Sequence, residues 1–173
     1  YIRGTQFRRA KKKLPKRRLH GRLTRSQKKG LGFYSLPRVG VKYCEILPLH
    51  EKWLQYIRTV VDLDVPMPEV TSKAWEQFTQ SLYKADFHGS MLKVVRSKCS
   101  SYVGKAGICI MDTRNTFRIV SENSVSTTVT KKECVFELYL NSKYKVILLG
   151  KLLCARPADR STKKIKGHIH PDL

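Results

Sequence analysis

The stretch Ala85–Val120, ADFHGSMLKVVRSKCSSYVGKAGICIMDTRNTFRIV, limits the possible folds more than any other part of the chain. The residues up to His88 predict a helix end, with Gly89 as the left-handed residue that glycine adopts most cheaply. A strand follows from Ser90. Leu92, Val94 and Arg96 fall on one side of it and Met91, Lys93 and Val95 on the other, the two-residue alternation of a partly buried strand. Gly104 and Gly107 bracket the start of the next strand, Ile108 to Met111, and their missing side chains permit a sharp bend or a close backbone approach. Asp112-Thr113-Arg114-Asn115-Thr116 is rich in turn formers, so Phe117 to Val120 is expected to pair back antiparallel.

Two helices are expected before this stretch. Leu49, Trp53, Tyr56, Ile57, Val60 and Val61 recur at helical spacing, with Pro48 suited to the first turn, and Pro66 and Pro68 stop the helix. The second starts with Thr71 or Ser72 as N-cap and runs through Trp75, Phe78, Leu82 and Ala85. Their aromatic stripes either pack on the sheet or serve a partner, with Trp53, Tyr56 and Ile57 as the partner-binding candidates. After the hairpin, Val125, Thr127 and Val129, then Cys134, Phe136, Leu138 and Leu140, then Tyr144 to Leu149 and Leu152 to Ala155 read as further short strands. The chain is therefore expected to be mainly β with N-terminal helices, its strands closing into a small antiparallel barrel.

Charge identifies the kind of partner. The formal net charge is +22 over 173 residues, and such a surface repels itself unless it meets a polyanion. The excess is concentrated at one end. Fifteen Lys and Arg and no acid precede Glu45, whereas twenty face thirteen acids from there onward. Residues 1–44 therefore read as a basic, largely extended arm, disordered until it meets phosphate. Arg8, Arg9, Lys11, Lys12, Lys13, Lys16, Arg17 and Arg18 form its densest run. The arm is either an RNA-binding element or a nuclear or nucleolar localisation signal, and the two are compatible. Residues 45–88 are the two-helix segment, 89–156 the barrel and 157–173 a second basic tail with Arg160, Lys163, Lys164 and Lys166.

The five cysteines, Cys44, Cys99, Cys109, Cys134 and Cys154, contain no CxxC pair and are expected to be free thiols in a reducing compartment. The longest apolar run, Val146 to Leu149, is far too short for a membrane span, so no membrane partner is expected. The chain opens on Tyr1 rather than Met, so its native N-terminus is expected to lie upstream. No catalytic constellation stands out. Asp86 with His88 and His168 with His170 each lack the third ligand or oriented base that metal or acid–base chemistry needs, and no metal or cofactor is expected in this chain. What remains is basic residues interleaved with aromatic and polar ones: Lys93, Arg96, Lys98, Tyr102 and Lys105 around the first loop, and Arg114 and Arg118 on the hairpin. That mixture suits folded RNA, which offers phosphates, 2′-hydroxyls and splayed bases.

Several motifs carry a family resemblance: Ala85-Asp86-Phe87-His88-Gly89-Ser90, Leu92-x-Val94-x-Arg96-Ser97-Lys98, Val103-Gly104-x-x-Gly107-Ile108, His50-Glu51-x-Trp53-x-x-Tyr56-Ile57, Asp112 to Phe117, Cys134-Val135-Phe136 and Arg160-Ser161-x-Lys163-Lys164-x-Lys166. In this order, from about Leu49 to the C-terminus, they resemble the Sm-like barrel subunit shared by nuclear ribonuclease P and ribonuclease MRP, with an archaeal counterpart of the twenty-nine-kilodalton class. The chain departs from that pattern at Ser100 and Thr130, where proline is common, and at Lys132, where an apolar residue is expected. The resemblance implies an Sm-like barrel and a non-catalytic, RNA-binding subunit of a particle whose catalyst is RNA, with Mg2+ serving that RNA. It also implies pairing with a small zinc-ribbon subunit among other protein subunits, precursor tRNA nearby, 5′-leader removal, ribosomal RNA processing, and a nuclear and nucleolar location. Two alternatives stand beside it: a ribosomal or other Sm-like RNA-binding protein, and a stand-alone metal-dependent nuclease.

Overall fold

The computed structural model describes residues 23–32, 40–63, 65–141 and 143–163. The chain divides into two units, Tyr1–Leu36 and Pro37–Leu173. In the first, α1 (Arg25–Gly30) is a six-residue helix closed by a capping box: Thr24 accepts from the Gln27 amide while the Gln27 side chain accepts from the Thr24 amide. Lys28 and Lys29 lie in its last turn, where cations favour the helix dipole. This short helix lies within the arm expected to be largely extended, most of which falls outside the described residues. Reciprocal capping satisfies two amides that would otherwise need water, and that holds a short basic helix. The run Arg8–Arg18 lies outside the described residues.

In the second unit, α2 (Tyr43–Val60) starts earlier than the helical spacing suggests and contains Pro48 in its interior. Proline there forfeits one backbone hydrogen bond. Two tertiary contacts offset that loss. The Tyr43 amide donates to Ser124 Oγ at 3.0 Å across the fold, and Ile46 packs with Ile108 and Val120 in a small cluster of its own. α3 (Lys73–Lys84) has Ser72, one of the two expected candidates, as N-cap, accepting from the Trp75 amide, but it ends before Ala85. The residues leading to Gly89 form a turn instead of a last helical turn. Gly89 has φ +90°, and a Cβ on it would stand 2.6 Å from the Leu49 carbonyl oxygen and 2.9 Å from Trp53 Cβ. Its role is therefore to let α2 lie against this turn, which no helix-capping rule anticipates.

Six strands follow: β1 (Met91–Ser97), β2 (Ala106–Asp112), β3 (Thr116–Val120), β4 (Ser126–Thr130), β5 (Cys134–Tyr139) and β6 (Lys145–Leu149). They form one antiparallel sheet in the order β4-β3-β2-β1-β5-β6. Thr130 ends β4 opposite Thr116, so the departures near it leave the strand's pairing intact. The register shifts between Val94 and Arg96 and again between Cys109 and Met111, bulges of the kind that sharpen twist. At Gly107 a Cβ would run into the Val120 carbonyl, so only glycine lets β3 lie so close. The inner face carries Leu92, Val94, Cys109, Phe117, Ile119, Phe136 and Leu138, packed with Trp53, Ile57, Phe78 and Leu82 of the helices.

The expected closed barrel is not what the backbone forms. Among the described residues β4 and β6 remain edges with no ladder between them. Side-chain contacts bridge that side instead: Lys131 Nζ, just past β4, donates to the Leu153 and Ala155 carbonyls, just past β6, at 3.0 and 3.3 Å. Those two bonds also explain why Leu152 to Ala155 is a turn rather than the expected strand, since its carbonyls point at a lysine. The chain then enters α4 (Pro157–Thr162), a helix with Pro at its start where a basic tail was expected to begin.

Candidate nucleic-acid interface

The basic candidates divide into a surface set and a buried one. On β1, Lys93 faces away from Leu92 and Val94, with Ala106 of β2 and Glu137 of β5 as its register partners. The bulge after Val94 breaks the alternation, so Val95 and Arg96 are both exposed, and Lys98 follows them into solvent. The next loop contains a short 3-10 turn, Ser100–Tyr102, and folds back so that the Lys105 carbonyl accepts from the Val94 amide at 2.8 Å. Lys93, Arg96, Lys98 and Lys105 are thereby gathered around one end of β1.

Arg114 sits on the β2–β3 turn, which Thr113 closes by accepting from the Thr116 amide and donating to its carbonyl, and it is exposed. Along the strands it is at the far end of β2 from Lys105, roughly 20 Å away at strand rise. The curl of the sheet shortens that separation. The Lys131 amide donates to the Asn115 carbonyl and the Lys98 amide to the Glu133 carbonyl, so both ends meet one short segment. Lys132 projects from that segment into solvent between the two anchors. It belongs with Lys98 and Arg114, and sequence reading missed it because only the curl makes these residues neighbours. Arg118 is half-buried and its Nε donates to Ser126 Oγ at 2.7 Å. Lys163 is exposed, 6.0 Å from the Tyr83 ring centre. Lys164 and Lys166, like His168 and His170, lie outside the described residues.

Three candidates are corrected by their burial. Arg160, expected on an RNA-binding tail, is 0% exposed: its NH2 donates to Asp112 Oδ2 at 2.9 Å and to the Ala85 carbonyl at 3.0 Å, and the guanidinium lies over the Phe87 ring. Asp112 also takes Lys131 Nζ at 2.6 Å, a second fully buried cation. The periodicity of a basic tail gives no sign that one arginine turns inward. Trp53 and Ile57, expected to bind a partner, are core residues at 3% and 0% exposure, and Trp53 Nε1 donates to the Asp86 carbonyl. Tyr56 is exposed at its ring, while its hydroxyl accepts from the Asp86 amide at 3.2 Å.

Asp86 and His88 form a pair with structural work to do. His88 Nδ1 donates to Asp86 Oδ1 at 2.6 Å, and Nε2 accepts from the Asp112 amide at 3.0 Å, so the ring ties the turn before β1 to the end of β2. The hydrogen bond to Asp86, opposed by partial burial, raises the His88 pKa. Burial works against ionising Asp86, but the bonds from His88 hold its carboxyl below its usual range. A raised imidazole pKa means that the contact with Asp86 favours the protonated ring and contributes fully below the unfolded value of about 6.5, at the cost of the bond from the Asp112 amide that only the neutral ring accepts; that contribution is lost as pH rises through the folded value. In Asp86→Asn, the His88 ring should titrate at lower pH than in the parent chain, read from its imidazole proton shifts by NMR; an unmoved titration would show that Asp86 does not hold the proton. Among the described residues no group of three or more His, Cys, Asp or Glu could hold a metal ion. All five cysteines are free; Cys109 and Cys134 are buried, and burial pushes the Cys109 thiol pKa well up, whereas Cys44 and Cys99 are exposed.

Comparison with known proteins supplies the family. Residues 80–163, from α3 through α4, match the family model described as ribonuclease P/MRP, subunit p29. The chain is 34% identical over 167 residues to the ribonuclease P protein subunit p29 of Homo sapiens, covering 96% of this chain and 73% of that one. It is 28% identical over 140 residues to the ribonuclease MRP protein subunit POP4 of Arabidopsis thaliana, covering 81% and 44%. Over 85 residues it is 35% identical to the ribonuclease P protein component 1 of Methanosphaera stadtmanae, covering 49% of this chain and 90% of that shorter one. The region from β1 to α4, with its buried Asp112, Lys131 and Arg160, thus falls within the matched segment, and the chain belongs to the p29 family of ribonuclease P and ribonuclease MRP subunits.

Proposed function

We propose that this chain is a non-catalytic, RNA-binding subunit of ribonuclease P, shared with ribonuclease MRP, that holds the particle's RNA in shape while the RNA performs 5′-leader removal and ribosomal RNA processing. The observation that carries it is the exposed basic set of Arg96, Lys98, Arg114 and Lys132, gathered by the curl of the sheet in a chain of net charge +22. Such a set neutralises phosphate without demanding a base sequence. A bent antiparallel sheet preceded by helices supports an Sm-like domain, and the family supports partners among the particle's other protein subunits, a small zinc-ribbon protein included. Mg2+ belongs to the RNA in this account, and a nuclear and nucleolar location follows from the particle.

The test measures binding of the full chain to the particle's RNA across a salt series. Each phosphate contact contributes roughly 0.7 to 0.9 to the log–log slope, so removing residues 1–29 should flatten it by several such steps. An unchanged slope would leave the arm as a localisation signal. The purified chain without RNA subunit should leave precursor tRNA intact, and cleavage by the chain alone would overturn the scaffold role in favour of a nuclease.

A further inference from the structure

Between α2 and the outer face of the sheet lies a half-open cavity of about 250 Å³, lined by His50, Leu54, Met91, Ala106, Tyr139 and Asn141. It is slightly smaller than the roughly 300 Å³ at which drug-sized sites begin, room for one flat ring system. Its walls are apolar apart from two groups with defined polarity. His50 Nδ1 donates to the Gly89 carbonyl at 2.8 Å, which leaves Nε2 of the neutral ring as an acceptor. Asn141 Oδ1 accepts from the Lys143 and Tyr144 amides at 2.9 and 2.6 Å, which fixes the amide orientation and leaves its NH2 as donor. The Tyr139 hydroxyl donates to Glu137, so its ring is held against the sheet as a stacking surface.

The rim is cationic. Lys93 is the direct register partner of Ala106 and shares the face of Met91. Glu137, the nearby acid, is already bound by Lys145 at 2.9 Å. We propose that the cavity receives a single unpaired nucleobase of the bound RNA, with a flanking phosphate on Lys93. An aliphatic side chain from a protein would bury the His50 acceptor and the Asn141 donor unpaired, which a heterocycle with an amino group beside a ring nitrogen does not. Adenine has such an edge. The site deepens the RNA-binding role and rests on it: the role supplies the strand, the cavity selects a splayed base within it.

The experiment compares the full chain's affinity for a short oligoadenylate with that for an abasic oligonucleotide of equal length. The parent chain should prefer the oligoadenylate roughly tenfold, the scale of one base stacked on an aromatic ring. Ala106→Leu, which fills the cavity and keeps Lys93, should bring the ratio close to one while abasic binding is unchanged. Asn141→Ala should reduce it as well, and carries the test if the leucine variant does not fold. A ratio untouched by both variants overturns the proposal and leaves RNA binding standing. Failure to bind either oligonucleotide overturns the RNA role itself. If base preference is unchanged but the variants no longer assemble with the other protein subunits, the cavity holds a protein side chain and the proposal is likewise wrong. With 8-azidoadenine in the oligonucleotide, photocrosslinks should map to Tyr139 or Met91, and crosslinks confined to peptides outside the cavity lining would count against it.

Discussion

Asp112→Asn is expected to lower the stability of the fold by roughly 3 to 5 kcal/mol, the scale on which a buried ion pair fails when one partner is removed. Among the described residues the aspartate is the one counter-charge that touches two fully buried cations, Lys131 at 2.6 Å and Arg160 at 2.9 Å. Without it both remain inside with no anion against them. Lys131 would retain the Thr113, Leu153 and Ala155 carbonyls, but Arg160 has much less to fall back on, since its Nε and NH1 already lack a hydrogen-bond partner among the described residues. Burial, with the Arg160 charge adding to it, lowers the Lys131 pKa against the pull of Asp112, and loss of the carboxylate would lower it further. Urea unfolding of parent and variant at one pH measures the effect. The combined replacement Asp112→Leu, Lys131→Met, Arg160→Met should recover most of the loss, because apolar groups of similar size remove the unmet charge together with its counter-ion. If Asp112→Asn proves neutral, the cluster is not what joins α4 to the end of β2.

Phe117→Ala is expected to cost a similar amount, about 3 to 5 kcal/mol, for a different reason. The ring meets Phe87 edge-on at 5.9 Å and Phe136 edge-on at 5.2 Å, and the Lys131 ammonium lies 4.4 Å from its centre. Truncation leaves a void in a fully buried layer and uncovers the ammonium as well. Phe117→Leu fills most of that volume, so it separates the packing loss from the aromatic one. The leucine variant should cost distinctly less in the same denaturation assay, and equal losses would show that ring geometry, rather than volume, governs the site.

Both residues show how far reading along the chain can reach. Phe117 was legible: it stands in a short apolar strand after a turn sequence, and strand alternation is enough to place it inside. Asp112 was legible only as a turn former, which it also is, since it ends β2 just before the hairpin. Nothing local says that a lysine nineteen positions later and an arginine forty-eight positions later converge on it. Arg160 looked like one more member of a basic tail, and Trp53 with Ile57 suited packing on the sheet better than a partner but did not exclude one. Burial decided each case, and burial depends on which surfaces the fold happens to cover.

Sequence alone determined the periodic features: the two helices before the sheet, the order and alternation of most strands, an N-cap at Thr71 or Ser72, the polyanion-seeking charge and the family motifs. These come from local sterics, side-chain spacing and summed charge, all of which operate between residues close in the chain. Only the tertiary structure decided that α2 begins at Tyr43 under a cap from Ser124, that the ladder stays open between β4 and β6, that Leu152 to Ala155 serves a lysine instead of pairing, and that Lys132 joins Lys98 and Arg114. Each of these depends on a contact between residues far apart in sequence, and such contacts exist only once the curled sheet has brought its ends together.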